Sequence, residues 1–143
     1  MSDNFEEEED IVFPSGEYYI GDPCYVLSDE MWDYWCYNLH MKKGEVWING
    51  EKVAIYSTHC GDGEFIGNNG FTYHVDSGCF GMVPSSLFDQ TMRQRAEKLG
   101  TFHHFAVDVT FMVLKTNKFT RFIYIGGSDE TDSDDVELYI DTY

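Results

Sequence analysis

Basic residues are scarce in this chain. It has nine Lys and Arg against 26 Asp and Glu among 143 residues, a formal net charge of −17 at pH 7. Proteins that bind nucleic acid need a basic patch to neutralise phosphates, so this composition argues against direct nucleic-acid binding. No run approaches the roughly 18 apolar residues of a membrane-spanning helix, and the N-terminus is acidic where a signal peptide is basic and then apolar. We therefore expect a cytoplasmic protein, in the host cell if its source is viral, without membrane association.

Cysteine motifs are absent as well. The chain has no C-x-x-C pair, the spacing typical of zinc and redox sites, and its four cysteines are Cys24, Cys36, Cys60 and Cys79. Because the sequence shows no secretory signal, we predict reduced, packed thiols. Cys24 and Cys79 occupy equivalent positions in two turns, and a zinc or disulfide role for them is the minor alternative.

The acidic residues concentrate at the two ends. Residues 1–10 hold six acids and residues 126–143 hold seven, with no Lys or Arg in either segment, which leaves 13 acids against nine bases elsewhere. Acidic ends favour a solvated, partly disordered chain and can attract a basic partner. We predict an acidic N-terminal tail at 1–10 and a single domain at 11–143, with an acidic loop at about 126–135.

Apolar periodicity in the body of the chain predicts mostly β-strands. Asn49-Gly50 is typical of a type I′ turn and predicts a hairpin between strands at 46–48 and 52–57. A second hairpin is predicted to join 64–66 to 71–75. The alternating run at 105–113 predicts one central strand, and further strands are expected at 17–20, 25–27, 119–125 and 136–140.

Two segments predict helices. The first begins after Ser28, a good N-cap, and places Met31, Trp32, Trp35 and Leu39 at helical spacing before Gly44, so we expect this aromatic stripe to lie on the sheet. The second follows Pro84 and ends at Gly100. The fold class is therefore α+β, mainly antiparallel β, as a sandwich or an open barrel with two covering helices.

Three turns share one plan, in which an aspartate stands among turn-forming residues and an aromatic residue follows. Their residues are Gly21-Asp22-Pro23-Cys24-Tyr25, Gly61-Asp62-Gly63-Glu64-Phe65 and Asp76-Ser77-Gly78-Cys79-Phe80. Histidines lie near two of the turns. If the turns meet at one end of a sheet, their carboxylates and imidazoles suit a divalent metal, and the candidate ligands are Asp22, His59, Asp62, His74 and Asp76.

A cysteine nucleophile is a second catalytic hypothesis. Cys60 would be the nucleophile, and His74 would have to be its base because His59 points to the opposite face of a strand. The catalytic candidates are thus Asp22, Asp62, Asp76, His74 and Cys60. No H-E-x-x-H or comparable motif supports either hypothesis, and purely structural turns are the favoured interpretation.

The order of these motifs resembles an uncharacterised family of small proteins from phages, large DNA viruses and bacteria. The resemblance covers about residues 16–84 and is carried by the motifs GDPCY at 21–25, GDG at 61–63 and VDSG at 75–78, with a tryptophan-containing helix after the first. It implies an α+β or all-β domain and a viral or mobile-element setting. It implies no activity, and the acidic ends of this chain are a departure from it.

Two function classes follow. The favoured hypothesis is a small acidic, non-enzymatic binding protein, such as a viral accessory or counter-defence factor, that uses acidic and aromatic surface to engage a protein or a small ligand. The alternative is a metal-dependent hydrolase or small-ligand enzyme built on the turn aspartates and a histidine. No cofactor is expected under the first hypothesis, and a divalent metal is expected under the second.

Overall fold

A computed structural model of the protein describes residues 6–58, 61–116, 119–127 and 138–142. These residues form eleven strands and two short α-helices, which are β1 (Glu6–Phe13), β2 (Gly16–Gly21), α1 (Asp29–Asp33), β3 (Gly44–Ile48), β4 (Glu51–Ser57), β5 (Gly63–Ile66), β6 (Thr72–Val75), β7 (Cys79–Pro84), α2 (Arg93–Leu99), β8 (Thr101–Phe105), β9 (Val109–Thr116), β10 (Phe119–Gly127) and β11 (Leu138–Asp141). None of the described helices is long and apolar enough to cross a membrane.

The strands form two main sheets and one small one. The first sheet has the order β1-β9-β10-β11, the second has the order β3-β4-β7-β2-β8, and β5 and β6 form a separate hairpin. Neighbouring strands within each sheet are antiparallel. The sheets that the described residues form are not closed into a barrel. The predicted fold class, α+β and mainly antiparallel with two helices, is therefore confirmed, and the arrangement is that of a sandwich.

The middle of the five-stranded sheet is buried on both of its faces. Along β2 and β7, Ile20 and Met82 point into a core shared with the four-stranded sheet, whereas Tyr19 and Val83 point into a second core on the helical side. Successive side chains of a strand alternate between faces, so these strands separate two hydrophobic cores. The second core includes the fully buried Trp35, which confirms that the predicted aromatic stripe of the first helix packs on the sheet.

The tight hairpin at Asn49-Gly50 is also confirmed. Both residues have positive φ, 53° and 80°, as a type I′ turn requires. The predicted strand at 25–27 is wrong. Pro23–Tyr25 form a turn of 3₁₀ helix, and the next element in the described residues is α1.

The predicted central strand at 105–113 is wrong. Phe105 ends β8 at the edge of the five-stranded sheet, and Val109 begins β9 in the other sheet, so residues 106–108 carry the chain between layers. Phe105, Val109, Phe111 and Val113 all remain in the shared core. The alternating pattern continues on both sides of residues 106–108 because β8 and β9 each bury one face in the same core.

The predicted helices are shorter than expected. α1 has five residues and continues into one turn of π-helix at Tyr34–Asn38, in which the Leu39 amide donates to the Tyr34 carbonyl at 3.1 Å. In the second segment, two 3₁₀ turns precede α2.

Residues 6–10, which the sequence assigns to the acidic tail, lie in β1. Glu9 connects the two sheets there, because Lys115 Nζ of β9 donates to Glu9 Oε2 at 2.9 Å and the Tyr56 hydroxyl of β4 donates to Glu9 Oε1 at 3.0 Å. Burial opposes ionisation of Glu9, but these two hydrogen bonds and the charge of Lys115 outweigh it and lower its pKa. Residues 128–135 of the predicted acidic loop lie outside the described residues.

Candidate functional site

The first and third aspartate turns are joined by one buried carboxylate. Asp22 is fully buried, and its Oδ2 accepts from the backbone amides of Asp76 and Ser77 at 2.8 and 2.7 Å. Its Oδ1 accepts from the Cys24 amide at 3.0 Å and from the Ser77 hydroxyl at 2.7 Å. Both oxygens of Asp22 are thus used in binding the chain of its own turn and of the third turn. This arrangement is typical of a carboxylate that holds loops in place.

The second turn lies against the third. The Thr58 amide donates to the Gly78 carbonyl at 3.0 Å, and the Thr58 hydroxyl bonds to the Gly61 carbonyl. A methyl group placed on Gly78 would lie 3.6 Å from Asp62 Oδ1. All three turns therefore meet. Asp22 contacts the backbone of the third turn, whereas Asp62 and Asp76 are exposed to solvent.

The remaining predicted site residues are placed differently. His74 lies half-buried on β6, with its Nδ1 3.7 Å from Glu64 Oε1 of the paired strand β5. His59 and Cys60 lie outside the described residues. In the described part of the chain, no group of three or more His, Cys, Asp or Glu side chains is arranged to hold a metal ion.

The thiols near the turns are poor nucleophiles. Burial and the neighbouring Asp22 carboxylate raise the pKa of Cys24 far above its usual value, and burial raises the pKa of Cys79 to about 11. At neutral pH both are therefore almost entirely protonated, whereas the thiolate is the reactive form. Cys24, Cys36 and Cys79 are free cysteines that pack in or against the second core.

Tyr25 sits between the first turn and α2. Burial, together with a hydrogen bond to Asp76 and the charge of that carboxylate, raises the pKa of Tyr25. On the other side, the Arg95 guanidinium lies 5.8 Å from the centre of the Tyr25 ring. The hydroxyl therefore remains protonated at neutral pH, and the residue fixes the turn to the helix.

A groove of about 900 Å³ lies elsewhere, between α1 with its π turn and the tip of the β3–β4 hairpin. Its aromatic walls come from Tyr34 and Tyr37 on the π turn and from Trp47 on β3, which are 41%, 76% and 53% exposed. Glu30 and Asp33 contribute carboxylates, and the hairpin tip contributes a side-chain amide from Asn49. The volume is at the upper end of the roughly 300–1,000 Å³ typical of ligand pockets.

The π turn positions the groove residues. Trp35 anchors it, because this side chain is fully buried and its Nε1 donates to the Lys42 carbonyl at 2.9 Å. Tyr34 and Tyr37 flank Trp35 in sequence and point outward. π turns are frequent at functional sites, since they displace side chains from regular helical positions.

The groove is the feature that reasoning from the sequence missed. The signal that could have found it is the presence of two large aromatic residues, Tyr34 and Tyr37, outside the apolar stripe of the first helix. Trp47 gives the same signal on β3, where the alternating pattern of burial turns it outward between Val46 and Ile48. Comparisons with protein-family models, with curated proteins and with solved structures found no match to this chain.

Proposed function

We propose that this protein is a small acidic, non-enzymatic interaction protein that engages a partner protein through the groove between α1 and the β3–β4 hairpin. The observation that carries the proposal is the exposure of Tyr34, Tyr37 and Trp47 around one concave surface. Tyr and Trp are the residue types most enriched at the energetic centres of protein interfaces. A role as a viral accessory or counter-defence factor is part of the proposal and rests on the motif resemblance alone.

The placement of exposed apolar side chains supports this surface over others. Among the described residues, Val12, Met41, Ile66 and Tyr139 are also large and exposed, but none of them lines the groove. Single exposed apolar residues are ordinary, whereas a group around a concavity is typical of a recognition site.

Selection from a displayed random-peptide library tests the proposal. We expect peptides enriched on the wild-type protein to lose at least about tenfold in affinity on Tyr37→Ala, because an exposed aromatic at an interface centre contributes about 2 kcal/mol or more. The measurement is fluorescence anisotropy with the enriched peptides. Ile66→Ala is the matched control, since Ile66 is 70% exposed and lies outside the groove. Failure to enrich any peptide, or equal losses in both variants, would contradict the proposal.

The metal-dependent enzyme remains the alternative, and thermal melting separates the two. For a binding protein without a metal we expect the same Tm in Mn²⁺, Zn²⁺ and EDTA. A resident metal at 100 times its Kd would instead add about 2.7 kcal/mol to the stability of the folded protein. Asp62→Ala and Asp76→Ala are the informative variants, because both carboxylates are exposed. Asp76→Ala also removes the hydrogen bond of Tyr25, so the Tm of each variant is compared with and without metal. A metal-dependent rise in Tm that both variants abolish would favour the enzyme.

A further inference from the structure

The charged residues that line the groove are negative. Glu30 and Asp33 line it, and none of its lining residues is Lys or Arg. The ion pairs of Glu9, Glu17 and Glu64 lie outside the groove. A ligand that brings positive charge would therefore meet two carboxylates in a lining that contains no Lys or Arg.

The aromatic side chains of the groove suit a cation as well. Trp47 donates its indole Nε1 to Glu45 Oε2 at 3.1 Å, so its polar edge is already occupied. Lys52 Nζ lies over the ring, 6.0 Å from its centre, so the indole already has a cation of the chain near one face. Lys52 is tied to the Val12 carbonyl at 2.6 Å and does not line the groove.

We infer that the groove binds a basic segment of the partner protein and takes at least one arginine side chain from it. A guanidinium can stack flat on Tyr37 or Trp47 and donate paired hydrogen bonds to Glu30 or Asp33, whereas an ammonium offers only a point charge. The volume of about 900 Å³ leaves room for several residues of an extended segment. This inference rests on the proposed function and adds the chemistry of the partner to it.

The test uses a short fluorescein-labelled peptide in which arginines alternate with Gly and Ser, and matched peptides with lysine or citrulline in their place. Citrulline keeps the planar shape but has no charge. With the full-length protein we expect the arginine peptide to bind at least about tenfold more tightly than the citrulline peptide, and more tightly than the lysine peptide. Affinity should fall between about 50 mM and about 200 mM NaCl.

Paired variants separate the groove from the general charge of the protein. We expect Glu30→Gln/Asp33→Asn to weaken binding of the arginine peptide about tenfold and to flatten its salt dependence. The control Glu64→Gln/Glu97→Gln removes the same charge from exposed positions outside the groove and should change the affinity less than about twofold.

Two results would overturn the inference. The first is equal binding of the arginine and citrulline peptides. The second is an equal loss in the groove and control variants, which would mean attraction to the acidic protein as a whole. If library peptides that depend on Tyr37 carry no arginine, the inference fails while the proposed function stands.

Discussion

Replacing Asp22 with alanine is expected to cost about 3–5 kcal/mol of folding stability, a large part of the total for a domain of this size. The carboxylate is fully buried and accepts four hydrogen bonds, three of them from backbone amides. Its removal leaves the amides of Cys24, Asp76 and Ser77 in the interior without their acceptor. Burying such groups unpaired costs more than the hydrogen bonds themselves contribute. Urea denaturation followed by tryptophan fluorescence measures the loss.

Two further variants assign the effect to these contacts. Ser77→Ala removes only the hydroxyl bond and should cost about 0.5–1.5 kcal/mol. Asp22→Asn keeps one acceptor oxygen but replaces the other with an NH₂ group, which would face hydrogen-bond donors. Its loss of folding stability should therefore fall between the losses of the other two variants. The losses should be unchanged by EDTA if Asp22 acts through hydrogen bonds. An Asp22→Ala protein as stable as wild type would show that the turns are held by other contacts.

The role of Asp22 was only partly predictable from the sequence. The turn itself follows from local chemistry, because Gly, Asp and Pro restrict the backbone wherever they stand together. Its binding to the third turn joins residues more than 50 positions apart, at 22 and 76–77. No local pattern encodes that contact, so an aspartate predicted from sequence as a turn former or a ligand can be a cross-link between loops.

Strand prediction succeeded where a turn fixes the register and failed where packing decides. Asn49-Gly50 determines its hairpin through backbone conformations that few residues adopt. The run at 105–113 has the same period on both sides of residues 106–108, and only the presence of a second sheet explains why it breaks there. β1 was not predicted for a related reason. Its acidic residues suggest a solvated tail, and only the tertiary structure places Lys115 and Tyr56 beside Glu9.

The groove could not be predicted as a site because it combines two distant segments. The sequence correctly predicts that Trp35 packs inward, but the π turn that exposes Tyr34 and Tyr37 beside it depends on how the helix ends against the sheet. The opposite wall comes from Trp47 on β3. A concave surface of this kind exists only once the tertiary structure brings its walls together.

Gly81 is the position where a single added methyl group should be most damaging. It lies within β7, paired with Gly21 of β2 on one side and with Ile55 of β4 on the other. A Cβ at this position would lie 1.9 Å from the Ala54 carbonyl oxygen and 3.2 Å from Pro23 Cγ. The absence of a side chain at Gly81 therefore lets the β4 backbone approach β7 closely, and it also leaves room for Pro23 of the first aspartate turn.

We expect Gly81→Ala to cost at least about 3 kcal/mol, at or above the usual range for overpacking, because the nearest atom belongs to the backbone of a central strand and cannot rotate away. Gly50→Ala is the control. Its added Cβ meets nothing within 4 Å, so only the strain of its positive φ, about 1–2 kcal/mol, should appear. Urea denaturation of both variants, compared by free energy of unfolding, makes the measurement. A smaller loss for Gly81→Ala than for Gly50→Ala would mean that the β4 backbone at Ala54 moves aside at little cost. A loss several-fold larger would identify the close approach of the Ala54 carbonyl to β7 as the reason for glycine at this position.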